Sequence, residues 1–275
     1  MTRLAVIVPT HNDGHLAADA VASIREAEPF EVVVVDDATS DAASLERLKA
    51  LEADGVKLVR RDVSGGPPAA RMTGLAQTDA PFVFPLDSDD LLEPGVLAQL
   101  ADMLEARPDA AFVWGDYTLF GTYEGRYRSP GAFLPWTVTY VNPYPVAALF
   151  RREALERVGG WQGPVGYEDW DVWLAFAERG MAGIPAGRVI YRRRLHGDDR
   201  VLGGARRRHQ QLYGELQARH PELFARRAEL RRLERPALWK RMVYPVLFGS
   251  RSVVPFRVEA FLQRTMMRLG LRLSR

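Results

Sequence analysis

Cysteine is absent from the 275-residue sequence, and so are long hydrophobic runs. Without cysteine the chain has neither a disulfide framework nor a thiolate metal site, which favours a reducing compartment. No run approaches the roughly 20 apolar residues that span a bilayer. The run Leu4–Val8 ends at Pro9 and is too short for a signal peptide. We therefore expect a cytoplasmic protein, and peripheral attachment to the inner face of the plasma membrane remains open.

The net charge is small, +2, but it is unevenly distributed. Residues 201–275 hold 17 Lys and Arg against 5 Asp and Glu, a net charge of +12, so residues 1–200 carry −10. An acidic body joined to a basic end indicates two separate tasks. No nucleic-acid recognition motif accompanies the basic residues, so we expect no nucleic-acid partner.

Apolar runs alternate with segments of helical periodicity along most of the chain. Continuous apolar runs are typical of parallel strands, so this alternation predicts an open α/β sheet with helices on both faces. Residues 120–144 are rich in Gly, Pro and aromatic residues and predict a long loop, and the pattern from Ala205 onward is helical and basic. The predicted strands are Leu4–Val8, Glu31–Val35, Val56–Val59, Phe82–Leu86, Ala111–Tyr117, Val146–Phe150 and Arg188–Arg193. The predicted helices are Leu16–Glu26, Ser44–Ala53, Pro68–Gln77, one from Pro94 to about Ala106, and Glu168–Glu178.

Three carboxylates follow the fourth predicted strand within four residues, at Asp87, Asp89 and Asp90. Unpaired carboxylates are costly to bury, so such a cluster needs a partner. A hard divalent cation takes oxygen ligands and also binds phosphates. The alternative is that the acids cap the helix near Pro94, which needs one acid and not three. The cluster therefore predicts a metal and phosphate site at the carboxyl end of a strand.

Four other polar clusters also lie at the ends of predicted elements. A carboxylate such as Asp36 or Asp37 can accept from a ribose hydroxyl or a base N–H. The pair Gly65-Gly66 lets the backbone approach a ligand closely, and Arg71 offers a forked donor to phosphate. An ordinary strand-end turn explains any one cluster alone, but not all of them together. The four clusters are Val8–Asp13, Val35–Asp41, Ser64–Arg71 and Gly166–Asp171.

In this order the motifs resemble family 2 glycosyltransferases of the GT-A fold. The resemblance covers roughly residues 1–200 and rests on five motifs together. They are Val8-Pro9-Thr10-x-Asn12, Val35-Asp36-Asp37-x-Thr39-Ser40-Asp41, Gly66-x-x-x-Ala70-Arg71, Asp87-x-Asp89-Asp90 and Glu168-Asp169. The chain lacks the Gln-x-x-Arg-Trp motif of the family's processive polymer synthases, which favours transfer of one or a few sugars.

The resemblance implies a nucleotide-diphospho-sugar donor, most commonly a UDP-sugar, and a sugar, glycan or lipid-linked acceptor. It implies that Asp89, with Asp87 and His196, binds Mn²⁺ or Mg²⁺. For His196 the alternative is an ordinary histidine in a basic surface loop. It implies that Asp169, paired with Glu168, is the general base of an inverting transfer, although acids at a helix N-terminus are also common for stability alone. The donor residues implied are Pro9, Thr10, Asn12, Asp36, Asp37, Gly66, Arg71, Asp87 and Ser88.

The acceptor side and the domain boundaries are predicted from the same resemblance. Residues 1–204 form the catalytic domain, with a nucleotide-sugar half, 1–118, and an acceptor half, 119–204. Residues 205–275 form a basic helical extension. Tyr167 and Trp170 are acceptor candidates because aromatic faces suit sugars, although core packing is the more common role of such residues.

The end of the chain predicts an amphipathic basic helix between Val258 and Leu273. Such a helix suits an anionic membrane surface, and packing on the catalytic domain or on a second subunit is the equal alternative. The oligomeric state therefore stays open.

Two other functions remain to be weighed against glycosyl transfer. A nucleotidyltransferase also uses a nucleotide, a metal and an α/β sheet, but Pro9–Asp13 has neither a Gly-rich run nor a Lys or Arg. A catalytically inactive sugar-nucleotide-binding protein is the second alternative, and the presence of Asp87, Asp89 and Asp169 argues against it.

Overall fold

The computed structural model describes residues 2–196 and 208–248. Within these residues nine strands form one mixed sheet. The strands are β1 Leu4–Thr10, β2 Phe30–Asp36, β3 Lys57–Arg60, β4 Phe82–Pro85, β5 Leu91–Leu92, β6 Ala110–Gly121, β7 Gly125–Tyr127, β8 Ala148–Arg151 and β9 Ala182–Leu195. The predicted open α/β sheet is confirmed.

The strand order is β3-β2-β1-β4-β8-β6-β9-β5, and β7 pairs with β6. Strands β1 to β4 are parallel to one another, with Leu4 opposite Phe30 and Phe82. β8 is antiparallel to both β4 and β6, and β9 is parallel to β6. Because β1, β2 and β4 are parallel, their carboxyl ends meet at one edge, where ligands of open α/β sheets bind.

Eleven helices are present in the described part of the chain. They are α1 Gly14–Ser23, α2 Ala42–Ala53, α3 Gly66–Leu75, α4 Val96–Glu105, α5 Pro135–Val138, α6 Arg152–Arg157, α7 Glu168–Glu178, α8 His209–Arg219, α9 Pro221–Ala225, α10 Arg227–Glu234 and α11 Leu238–Leu247. α4 begins later than predicted, because Gly95 has a φ of 67° and Pro94 precedes it. The predicted long loop contains β7 and α5, and β9 extends well beyond the predicted Arg188–Arg193.

The sheet separates two hydrophobic cores, as alternating side chains of a strand require. Ile7 of β1 faces the core formed with α3 and α7, whereas Val6 and Val8 face the core formed with α1 and α4. Aromatic rings dominate the first core, and Phe112 packs against Trp173 at a centroid distance of 5.0 Å. Helices on both faces of the sheet are thus confirmed.

Helices α8 to α11 pack against α5 and α7 and extend the first core. Tyr213 donates to the carbonyl of Thr139 at 2.6 Å, and the Tyr244 ring stacks on Trp136 at 5.7 Å. The predicted helical character is therefore present in residues 209–247. The predicted boundary at residue 205 and the predicted helix over residues 258–273 lie outside the described residues. In residues 2–196 and 208–248 no helix has the length and apolar character needed to cross a membrane.

Candidate functional site

The acidic cluster lies where β4 reaches the carboxyl edge of the sheet. The amide of Leu86 donates to Ile7 of β1 at 2.9 Å, and the chain then turns so that the Asp90 amide donates to Asp87 at 3.0 Å. This turn brings one carboxylate oxygen each of Asp87, Asp89 and Asp90 within 4.8 Å of one another. Three converging oxygen ligands fit a hard divalent cation.

Burial and mutual repulsion make this cluster costly without a counter-charge. Burial first, and then the charge of Asp87, raises the pKa of Asp89. The same two causes raise the pKa of Asp90 well above its ordinary value. A cation among the three acids would relieve both penalties, because an opposite charge favours the ionised form.

The end of β9 lies over the acidic cluster. The amide of Arg194 donates to the Asp90 carboxylate at 2.9 Å, and the Nε2 of His196 lies 2.8 Å from Asp89 Oδ2. The structure thus brings His196 to Asp89, as the predicted metal set requires. Asp90 does not cap α4, whose N-cap is Gly95. It is the third acid of the predicted metal and phosphate site, although the family resemblance implied only Asp87, Asp89 and His196 as ligands.

Arg71 connects this cluster to the helix that carries the predicted base. Its guanidinium lies 2.6 Å from Asp87 Oδ1 and 3.2 Å from Glu168 Oε1. The Arg71 side chain is only 3% exposed, and its Nε is a buried donor without a hydrogen-bond partner in residues 2–196 and 208–248. One buried cation therefore joins the end of β4 to the start of α7.

Asp169 lies in the first turn of α7, next to Glu168. Its Oδ2 accepts from Asn142 Nδ2 at 2.9 Å, and its Oδ1 accepts from the Trp170 amide at 2.7 Å. Burial, and then the neighbouring charge of Glu168, raises the pKa of Asp169 to about 7, against the lowering effect of the Trp170 amide, Arg71 and Arg193. A carboxylate that titrates near neutral pH suits proton transfer.

Asp37 organises the loop that leads into α3. Its carboxylate accepts from the Ser64 hydroxyl at 2.8 Å and from the Gly66 amide at 2.7 Å, and it pairs with Arg61 at 2.8 Å. Burial acts to raise its pKa, but the Gly65 and Gly66 amides and the Ser64 hydroxyl outweigh it, so the pKa is lowered. Gly66 has a φ of 76°, which only glycine adopts readily.

The loops after β1 and β2 are held together by side chains of the predicted donor site. Asn12 accepts from the amides of Ser40 and Asp41 at 2.9 and 3.0 Å. Asp36 is fully buried and accepts from the Thr39 amide at 2.8 Å. Thr10 is buried, and its hydroxyl has no hydrogen-bond partner in the described part of the chain. Pro9 lies opposite Val35 on β2, and Ser88 is half-buried in the turn after β4.

The two acceptor candidates lie beside the predicted base but differ in exposure. Trp170 is buried, and its Nε1 donates to the Val138 carbonyl at 2.6 Å. Tyr167 is half-buried, and its hydroxyl lies 2.6 Å from Nδ1 of His209. Both residues thus contact the elements around α5 and α8, and their role in acceptor binding stays a prediction.

Sequence reasoning missed two further polar residues of this site. Asn142 lies in the segment predicted as a loop, and nothing in its local pattern indicated its bond to Asp169. Arg193 is half-buried on β9 and bonds to the Tyr117 hydroxyl. Its positive charge acts to lower the pKa of both Asp90 and Asp169, so it lies near both groups. The available signal was its place in the run Arg192-Arg193-Arg194 before His196.

The model of the family "Glycosyl transferase family 2" matches residues 5–159, more than half of the chain. The chain belongs to this family. The matched range includes the donor-side loops and the acidic cluster, and it ends before Glu168. The predicted family and its GT-A fold are both confirmed.

Two curated relatives illustrate the range of the family. The succinoglycan biosynthesis protein ExoU of Rhizobium meliloti is 39% identical over 101 residues, which are 36% of this chain and 30% of that protein. The GalNAc(5)-diNAcBac-PP-undecaprenol beta-1,3-glucosyltransferase of Campylobacter jejuni is 34% identical over 120 residues, 42% of this chain and 38% of that protein. The chain thus spans between 30% and 38% of the length of these relatives.

Solved structures share the fold. Staphylococcus aureus TarS in complex with UDP-GlcNAc has a TM-score of 0.60 at 20% identity, covering 73% of this chain and 60% of that one. The mannosyltransferase PcManGT from Pyrobaculum calidifontis, in complex with GDP-Man and Mn²⁺, has a TM-score of 0.59 at 22% identity, covering 98% of this chain and 81% of that one. At these identities the likeness shows the fold alone.

Proposed function

We propose that the protein transfers a sugar from a nucleotide-diphospho-sugar to a hydroxyl acceptor, with inversion and with a divalent cation. The observation that carries this proposal is the buried bridge from Asp87 through Arg71 to Glu168. It joins the turn that carries the acidic cluster to the turn of α7 that carries Asp169, which supports a shared site. Such a transfer needs a cation-binding group for the leaving diphosphate and a base for the acceptor at the same place.

The donor lies along the carboxyl edge of the sheet in this proposal. Asp37 and the loop at Gly66 shape the base and ribose end, together with Pro9 and Thr10. Asn12 and Asp36 hold the loops that form this end. Among the described residues, the hydroxyl of Thr10 and the Nε of Arg71 have no hydrogen-bond partner, so these buried polar atoms are available to a ligand. A UDP-sugar is the proposed donor, and the complex of TarS with UDP-GlcNAc supports it.

Asp87, Asp89 and His196 would hold the cation, with Asp90 beside them. When bound there, Mn²⁺ or Mg²⁺ neutralises negative charge on the departing nucleoside diphosphate. The complex of PcManGT with Mn²⁺ supports this choice of ion. Arg193 adds a fixed positive charge near both Asp90 and Asp169.

Asp169 acts as the general base. Its ionised carboxylate accepts the proton of the acceptor hydroxyl while that oxygen forms a bond to the anomeric carbon of the donor. The bond from the anomeric carbon to the diphosphate oxygen breaks, its electron pair leaves with the nucleoside diphosphate, and the configuration inverts. Asn142 holds the carboxylate of Asp169 in place, and Glu168 holds Arg71. The polyprenyl diphosphate in the name of the Campylobacter relative supports a lipid-linked glycan as the acceptor.

The substitution Asp169→Asn tests the proposal. Removing the base leaves the donor residues intact, so we expect thermal stabilisation by UDP with Mn²⁺ to be retained. Transfer from the donor should fall by about 10²–10⁴-fold, the typical contribution of a general base. The measurements are a thermal-shift panel of nucleoside diphosphates and their sugars, with and without Mn²⁺, and a donor-turnover assay.

Asp79→Asn is the matched control, because Asp79 is exposed just before the other end of β4. It should leave both readouts unchanged. Transfer by Asp169→Asn at the wild-type rate would refute the assignment of the base. Nucleotide binding without any turnover by the wild type would indicate a binding protein. Release of inorganic pyrophosphate from a nucleoside triphosphate supplied with a sugar 1-phosphate would indicate a nucleotidyltransferase.

A further inference from the structure

A row of exposed apolar side chains runs along α11. Leu238, Met242 and Val246 are spaced by four residues, so they lie on one face of the helix. Among the described residues, seven large hydrophobic side chains are strongly exposed, and four of them fall within residues 233–246. These four are Leu233 at 71%, Leu238 at 66%, Met242 at 60% and Val246 at 61%. Leu233 belongs to α10, so we call the three residues of α11, Leu238, Met242 and Val246, the α11 patch.

The opposite side of α11 is anchored to the protein. Tyr244 and Phe248 are almost fully buried, and the Tyr244 ring is parallel to Trp136 within 6°. The helix therefore does not need its outer row for its own packing. Clustered apolar residues on an anchored helix indicate a contact with something else.

The sequence around the α11 patch carries mostly positive charge. Residues 231–248 contain five Lys and Arg and a single acid, Glu234. The carboxylate of Glu234 is directed inward, where it accepts from the Trp136 and Thr137 amides at 2.8 and 3.0 Å. The cations Arg231, Arg232, Arg235 and Arg241 are exposed. An apolar row with a basic border fits an anionic partner.

We infer that the α11 patch docks on the surface of an anionic phospholipid membrane. A second copy of this chain would bring the same basic border against itself. Residues 249–275 of the chain hold six Arg and one Glu, so they would also meet the border with like charge. A bilayer surface rich in anionic headgroups accepts the cations at the headgroups and the apolar row just below them.

This inference goes beyond the proposed function and names a different surface from the predicted helix over residues 258–273. The patch lies close to the acceptor side, because α11 packs on Trp136 of α5, and Trp170 of α7 bonds to Val138 of the same short helix. A membrane-bound patch would hold the acceptor half of the protein next to the bilayer.

Vesicle binding of the full chain tests the inference without any donor or turnover. We expect wild type to co-sediment with vesicles of equal parts phosphatidylglycerol and phosphatidylcholine and not with phosphatidylcholine alone. Binding should weaken as salt rises. The variant with Leu238→Gln, Met242→Gln and Val246→Gln should bind at least about tenfold more weakly, because it removes the apolar row. The variant with Arg231→Gln, Arg232→Gln and Arg241→Gln should also bind at least about tenfold more weakly, since each cation contributes about fivefold to the affinity for an anionic membrane.

Matched controls change the same chemistry elsewhere. Val63→Gln with Tyr123→Gln removes two exposed apolar side chains outside the patch. Arg25→Gln, Arg47→Gln and Lys49→Gln together remove three exposed cations, one just after α1 and two on α2. Both controls should bind anionic vesicles as wild type does. Absence of wild-type binding, or wild-type binding by either patch variant, would overturn the inference.

The absence of cysteine allows a direct readout at the patch. Met242→Cys, labelled with an environment-sensitive fluorophore, should shift to the blue on anionic vesicles, and labelled Val63→Cys should not. A label at position 242 that is already blue-shifted without vesicles would mean that protein covers the patch and would overturn the inference. Sedimentation velocity would then distinguish a second copy from residues 249–275, because only the former makes the sedimentation coefficient depend on concentration.

Discussion

The bond from Asn142 to Asp169 leads to a prediction about the pH dependence of transfer. The Asn142 amide donates to the Asp169 carboxylate at 2.9 Å, so it stabilises the ionised form. In Asn142→Ala this donor is lost, while the Trp170 amide, Arg71 and Arg193 still act on the carboxylate. Since a base works only when it is ionised, the acid limb of the rate profile should move to higher pH.

The size of the shift follows from the strength of the bond. A hydrogen bond to a charged group contributes about 1.5–3 kcal/mol, and one pKa unit corresponds to about 1.4 kcal/mol. Asp169 is partly exposed, so water replaces part of the lost bond, and we take the lower end, about one unit. The pKa of about 7 in the wild type then becomes about 8 in the variant. At pH 7 the ionised fraction falls from about one half to about one tenth, so kcat/KM should fall about fivefold.

The assay is kcat/KM for the donor across pH, because this parameter reports the pKa values of the free enzyme. At alkaline pH the variant should approach the wild-type rate. Asn142→Asp places a second carboxylate beside Asp169 and should move the limb at least as far in the same direction. Gln211→Ala is the control, since it removes a similar amide-to-carboxylate bond of 2.9 Å on the exposed face of α8. An acid limb that stays in place in both Asn142 variants would refute the reasoning.

Two further predictions concern the contacts of helices α8 to α11. Glu234→Ala removes three hydrogen bonds to Trp136 and Thr137 at the start of α5 and leaves two amides without partners. The free energy of unfolding, measured by urea titration, should therefore fall by about 2–3 kcal/mol. A loss under about 0.5 kcal/mol would contradict this prediction. Burial acts to lower the pKa of His220, but bonds to Asp171 and Glu178 outweigh it and raise the pKa. Because the folded pKa is raised, the stability advantage of wild type over His220→Gln should be full below the unfolded pKa and should shrink as pH rises through the folded pKa. Urea titrations at a series of pH values measure this advantage. A stability advantage that grows as pH rises would contradict the prediction.

The sequence predicted the strands whose signals are local. β1, β2 and β4 are continuous apolar runs that end in polar residues, and β1 and β4 each end with a proline close by. β9 was predicted too short, because its first half contains Gly183, Pro185 and Gly187, which disfavour strands. Its pairing with β6 overrides that preference, and Gly183 is required there because a Cβ would meet the Phe112 ring at 2.3 Å.

The site was predictable wherever its residues follow a strand or open a helix. Asn142 and α5 were not, because their partners are distant in the chain. The helix α5 is capped by Glu234, which lies 97 residues after Thr137. No local pattern contains this information, and a segment of Gly, Pro and aromatic residues resembles a loop until its partner is placed. A cap for the helix near Pro94 was the alternative interpretation of the acids, and α4 begins two residues later, at Val96, with Gly95 as its N-cap.

The first turn of α7 explains why the pKa of Asp169 cannot be inferred from the position of this residue at a helix N-terminus. The macrodipole favours an ionised carboxylate there by about 0.3–1 kcal/mol, which alone would lower the pKa. Successive residues of a helix point about 100° apart, so Glu168 reaches Arg71, Asp169 reaches Asn142, and Trp170 enters the core. The next residue, Asp171, pairs with Arg219 at 2.7 Å. This packing leaves Asp169 only partly exposed and next to a second carboxylate, and the two effects exceed the dipole, so the pKa rises to about 7 instead of falling. The burial that anchors α7 between the donor loops and the C-terminal helices is therefore also what raises the pKa of the proposed base to the range in which it can both accept and release a proton.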